Sequence, residues 1–250
     1  MPFFRTAVWV ALAGLTAAAP PAADAPAAPP GAEVLSYTTE WRFIRAGNAR
    51  LSFAPDGDGF AARLHLESAG MVSGLYRIED DYASSLDRQL CVVSLSFTAH
   101  EGSRRRETSV TYDGARRKAS YQERDLVDHV TATHETDIPP CVHDVVGALY
   151  VLRRMRVEPG RTIEIPISDG KKTVMARIEA QERETLKLDS GTYRTIRYEA
   201  FLFNGVMYRR RGRLFVWLTD DERRLPVQVR VRMPLYIGTV TLQLLKPGKT

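Results

Sequence analysis

From Leu35 to the C-terminus, apolar and polar residues alternate with a period of two. Leu225, Val227, Val229, Val231 and Met233 are interleaved with Pro226, Gln228, Arg230 and Arg232, which turns one side of an extended strand to a core and the other to water. The same rhythm runs through Ala62, Leu64 and Leu66; Val93, Leu95 and Phe97; Ile163, Ile165 and Ile167; Val174, Ala176 and Ile178; Ile196, Tyr198, Ala200 and Leu202; and Val240, Leu242 and Leu244. So many half-buried strands predict a mainly β chain with a large antiparallel sheet. Turn clusters such as Ala46-Gly47-Asn48, Asp113-Gly114, Asp169-Gly170, Asp189-Ser190-Gly191 and Thr219-Asp220-Asp221 separate the strands, because their residues tolerate positive φ or bond their own backbone. Connections that short predict a meander, and Asn204-Gly205 reads as its clearest two-residue hairpin.

One segment breaks the period. Val142, Val145, Val146, Leu149, Leu152 and Met155 recur every three or four residues between Pro139-Pro140 and Pro159-Gly160, which predicts one amphipathic helix of roughly four turns. Arg153, Arg154 and Arg156 stand near its end, where cations suit the helix dipole. A large curved meander sheet, a half-barrel, with a solitary amphipathic helix needs that helix to cover its concave face. The run 214–218, apolar on both faces, predicts a central strand buried under the helix or lining a cavity.

Arg5 and the apolar stretch 6–19 lead into a tract with Pro20, Pro21, Pro26, Pro29 and Pro30. Too short to span a bilayer and followed by small residues suited to cleavage, this start reads as an export signal. The expected division is a signal peptide at 1–25, a Pro/Ala-rich linker at 26–34 and one β domain at 35–250. Its expected location is the periplasm or another compartment outside the cytoplasm. Apolar residues make up 44% and charged residues 26%, a globular balance that excludes disorder outside the Pro/Ala tract.

The net charge of +5 is gathered in clusters: Arg104 to Arg106, Arg116 to Lys118, Arg153 to Arg156 and Arg209 to Arg213. For an exported chain the acidic partner is an anionic envelope surface, of lipid head groups or polymers, rather than nucleic acid. The other reading is solvated outer faces of strands. In an oxidising compartment the pair Cys91 and Cys141 suggests a disulfide, the alternative being two buried thiols too far apart to meet.

Candidate chemistry is sparse. Asp128, His129, His134, Glu135, Asp137, Cys141, His143 and Asp144 form the densest set of metal-ligand types, yet their spacing matches no compact ligand motif, and HExxH and paired CxxC are missing. A polar strand-to-helix connection is the simpler reading. No GxSxG turn or phosphate-binding Gly loop occurs. Glu79, Asp80 and Asp81 read as part of a polar strand edge, and Asp220, Asp221 and Glu222 as a hairpin tip, rather than as acid/base pairs. The expectation is therefore no catalytic residue, no metal and no cofactor.

The order of Glu40-Trp41, Ala46-Gly47, Asp144-Val145, Ala148-Leu149-Tyr150, Leu152-Arg153, Pro159-Gly160, Gly191-Thr192-Tyr193-Arg194-Thr195, Trp217-Leu218-Thr219-Asp220-Asp221, Arg224-Leu225-Pro226-Val227 and Gly238-Thr239-Val240 resembles the exported bacterial family DUF3108, from about Tyr37 to Leu245. That resemblance implies no catalytic residues. By shape alone the chain is similar to the lipoprotein carriers LolA and LolB, whose half-open barrels hold acyl chains, although those have several helices.

These features lead to an exported, monomeric, non-enzymatic protein that binds a lipid, acyl chain or other hydrophobic component between sheet and helix. Val146, Leu149, Tyr150 and Trp217 would border the groove, with Arg on its rim meeting an anionic head group. The alternative is a structural or assembly factor of the envelope with a fully packed interior. A continuous apolar cavity separates the two.

Overall fold

The structure, a computed structural model, describes residues 31–234 and 238–246. The expected signal peptide lies outside the described residues. The first meander comprises β1 (Glu33–Trp41), β2 (Ile44–Asp56), β3 (Gly59–Ser68), β4 (Ile78–Leu86), β5 (Val92–Glu101), β6 (Arg104–Asp113), β7 (Lys118–Asp125) and β8 (Val130–Asp137). The second comprises β9 (Thr162–Ser168), β10 (Thr173–Leu188), β11 (Gly191–Ala200), β12 (Arg213–Thr219), β13 (Pro226–Arg232) and β14 (Thr239–Leu244). Within each meander successive strands pair antiparallel, and β1 also pairs with β14, so the two meanders join into one 14-stranded sheet with β8 and β9 at its edges.

Strand pairing does not close the sheet, but the sheet curls until its two ends touch. The Tyr112 hydroxyl donates to the Ser168 carbonyl at 3.3 Å, and the Lys171 ammonium lies 4.3 Å from the centre of the Tyr121 ring. Gly170, at φ 86°, turns β9 into β10 so close to β6 that a Cβ there would come within 2.7 Å of a Val110 methyl. Only glycine meets both the left-handed backbone and that approach.

The predicted helix is α2 (Val145–Arg154), shorter than expected. Pro139-Pro140 keeps the preceding chain extended, and Val142 is placed before the cap. There Val92 donates to the Val142 carbonyl, and His143 forms a parallel bridge with Ile167. Asp144 caps the helix by accepting from the Gly147 amide. Rather than lying along the sheet, α2 crosses the interior near one end. Its start meets residues 86–91, its end meets Glu33 and the β12–β13 turn, and its sides face two apolar clusters. Tyr150 stacks on Phe53 in one cluster, while Ala148 and Leu152 belong to the other.

Several local expectations are corrected. The helix expected to be solitary is joined by a second, five-residue helix, α1 (Met71–Leu75). Asn204-Gly205 does adopt left-handed φ, 62° and 88°, yet it sits inside a longer β11–β12 loop rather than forming a two-residue hairpin. Val93 points outward because the β4–β5 register shifts between Ser85 and Leu86. The expected linker overlaps β1 at Glu33 and Val34, since Glu33 is held by an ion pair. Glu79, Asp80 and Asp81 lie within β4, an inner strand of the sheet, not at its edge.

Candidate functional site

Strand alternation determines which side chains face the interior. Thr39 and Trp41 of β1, Leu64 and Leu66 of β3, Val240 and Leu242 of β14, and Val229 of β13 face inward, where they enclose empty space. Below α2 lies an apolar cavity of about 180 Å³, lined by Val145, Val146, Ala148, Leu149 and Leu152 from the helix and by Leu51, Leu214, Val216 and Val229 from the sheet. Beyond it a larger cavity, about 580 Å³, opens at the opposite end of the barrel. Leu242 lines both, and Leu64 and Leu66 lie successively along the same face of β3, so the two spaces adjoin.

The open end, the mouth, is framed by the β1–β2 turn, by α1 with Tyr76, by the start of β6 at Arg104, and by Arg210 of the β11–β12 loop. Its carboxylates are already engaged. Glu101 pairs with Arg106 at 3.2 Å, and Glu67 accepts from Asn48 at 2.9 Å. Asp80 accepts the His100 amide at 3.0 Å, while burial and then the nearby Glu101 hold its carboxyl above the usual carboxylate range. Arg104 and Arg210 form no ion pair among the described residues.

The other end is crossed by α2, which is anchored at both its ends. The Cys91–Cys141 disulfide, with its Cα atoms 5.1 Å apart, fixes the segment leading into α2. Asp144 is fully buried, and desolvation holds its carboxyl above the ordinary range. Burial pushes the neighbouring His143 imidazole below its ordinary pKa, while its Nδ1 lies 2.6 Å from the Leu90 carbonyl. At the far end of α2, Arg153 pairs with Glu33 and donates to the carbonyls of Arg223 and Arg224. The helix beside the inner space is therefore fixed at both ends.

The four expected groove residues fall into two sets. Val146 and Leu149 line the inner cavity. Tyr150, one residue further round the helix, is fully buried against Phe53, and its hydroxyl donates to Glu33 at 2.9 Å. Trp217 lies on the outer side of β12, because alternation gives the inner side to Val216 and Leu218. Its indole N–H donates to Glu184 at 2.7 Å, and the Arg230 guanidinium lies 5.1 Å from its ring. Both are core residues away from the cavity. Trp41, Leu66, Val72, Leu75 and Leu242 shape the mouth instead; Leu66 and Leu242 are legible from their strands, whereas Val72 and Leu75 belong to a helix too short for a periodic signal.

The residues expected as the densest metal-ligand types spread apart. Asp128 and His129 occupy the β7–β8 turn, His134, Glu135 and Asp137 lie on β8, and Cys141 is in the disulfide. Among the described residues, no three His, Cys, Asp or Glu side chains gather as a metal site.

A curled antiparallel sheet with an internal helix and an apolar interior defines a β-barrel-like domain. The chain matches the family described as a protein of unknown function, DUF3108, over residues 36–245, and it belongs to that family. Among solved structures it is similar to a β-barrel-like protein of the domain of unknown function DUF1849 from Brucella abortus. The TM-score is 0.58 at 8% sequence identity, over 88% of this chain and 98% of that one. At that identity the likeness is one of fold. Among curated proteins none matches the chain. No described helix is long and apolar enough to cross a membrane, and the disulfide fits an oxidising compartment.

Proposed function

We propose that this domain works outside the cytoplasm as a non-enzymatic binder of a hydrophobic chain, taken in at the mouth and held with its tail toward α2. The observation that carries this reading is the pair of adjoining apolar cavities, one beneath the helix at Leu149 and one at the open end by Trp41 and Leu75, with Leu242 lining both. The mouth cavity alone, about 580 Å³, is within the usual range for a small-molecule site. Arg104 and Arg210 at its rim suit an anionic head group, while the cavity beneath α2 is lined by apolar side chains that suit its tail.

Native mass spectrometry of protein recovered from the cell envelope, followed by organic extraction, tests the proposal. Wild type should carry a resolved lipid-sized mass. Leu149→Trp, which fills the inner cavity, should fold with an unchanged melting temperature and lose at least about 90% of that mass. Wild-type protein free of any such mass would overturn the reading. A structural or assembly role is favoured by one feature: β8 is exposed nearly throughout, and its outer edge has no strand partner among the described residues, which suits strand addition by another chain.

A further inference from the structure

The turn between β1 and β2 has only two residues, Arg42 and Phe43, between the paired Trp41 and Ile44. Both have left-handed backbone, φ 51° and 68°. Turns of this kind select Asn-Gly or Asp-Gly, because a bulky side chain there is strained. Phe43 gains nothing from the fold in exchange, being 98% exposed, and Ile44 beside it is half exposed. The same rim carries a second projection of this kind. In α1, Met71 is 74% and Leu75 80% exposed, and no residue of the helix is buried. The two projections are neighbours: the Ala69 amide donates to the Ala46 carbonyl at 2.7 Å, and Trp41, Val72 and Leu75 line the mouth together.

Large apolar side chains at the tips of separate elements, grouped around one opening and accompanied by guanidiniums, have the chemistry that a bilayer surface takes. The apolar tips suit the acyl boundary, and Arg104 and Arg210 suit the phosphates above it. We propose that the mouth rim docks on an anionic lipid bilayer, with Phe43, Met71 and Leu75 entering the acyl boundary. The opening then faces the membrane, and a hydrophobic chain passes between bilayer and cavity without crossing water; this use of the surface rests on the ligand reading above, whereas the docking itself does not.

The test is flotation of the envelope-recovered protein with vesicles of phosphatidylcholine alone and with about one third phosphatidylglycerol. Wild type should float with the anionic vesicles, and less as salt is raised. The double variant Phe43→Ser with Leu75→Ser changes exposed side chains only, so its melting temperature should hold while its vesicle partitioning drops about tenfold or more. Arg104→Gln with Arg210→Gln should weaken binding to the anionic vesicles alone. Absence of wild-type flotation, or equal flotation of wild type and the Phe43/Leu75 variant, overturns the proposal; the latter result assigns the rim to a protein partner. Lipid mass measured on the same samples separates the two ideas. Retained lipid without flotation defeats docking alone, and flotation without any retained lipid defeats the ligand reading alone.

Discussion

Arg153, near the end of the internal helix, and Glu33, at the start of the first strand, form an ion pair with both guanidinium ends engaged. The Arg153 side chain is only 3% exposed, and it also binds the Arg223 and Arg224 carbonyls. Arg153→Ala should cost about 3–5 kcal/mol, because it leaves a shielded carboxylate without its counter-charge, held by the Tyr150 hydroxyl alone, and two carbonyls without this donor. Replacing both partners, Arg153→Met with Glu33→Gln, should recover part of that loss. Urea denaturation measures both, and an unchanged midpoint for Arg153→Ala would show that the pair does not anchor the helix.

Reducing the Cys91–Cys141 bond frees the segment that leads into α2. The closed loop has a sequence separation of 50, for which chain entropy gives about 4 kcal/mol of stabilisation. Cys91→Ser with Cys141→Ser should lose a comparable amount. Alkylation of the unfolded, non-reduced protein should label neither cysteine.

His143 makes stability sensitive to mild acid. Burial lowers its pKa from the ordinary value of 6.5, so the unfolded chain binds the proton more tightly than the fold does. The stability from neutral His143 is therefore complete above about pH 6.5 and declines as pH falls through the lower folded value. Asp144 and Asp87 oppose the shift without reversing it. Melting temperatures between about pH 8 and pH 5 should fall more steeply for wild type than for His143→Asn, which retains a donor for the Leu90 carbonyl.

The N-terminal stretch 6–19 should be removed on export, leaving a mature end between about Ala19 and Pro26. N-terminal sequencing of envelope-recovered protein checks this, and an intact Met1 would contradict it.

Alternation made most of the sheet legible, since a strand with one face in the core carries that fact in its own residues. β13 and β14 are clear cases. β8 was not legible, because an edge strand exposed on both sides has no apolar imprint, so 128–144 read as a connection. The inner wall was half legible: Val146 and Leu149 follow from the helical stripe, whereas Tyr150 and Trp217 are equally apolar and differ only in where they point. In 214–218 both faces are apolar, so the strand alone does not assign its inner side. Glu33 was missed because its partner lies in α2, far along the chain and beyond the reach of local pattern.

The pairing of β1 with β14 has a temporal consequence. Every other contact between adjacent strands joins neighbours in sequence and can form as the polypeptide emerges. The β1 edge must wait for β14, the last strand of the sheet in sequence, so the barrel-like interior does not exist until every strand of the sheet has been made. Until then the hydrophobic lining stands open along one seam, and the moment of completion is also the moment at which the domain acquires an inside.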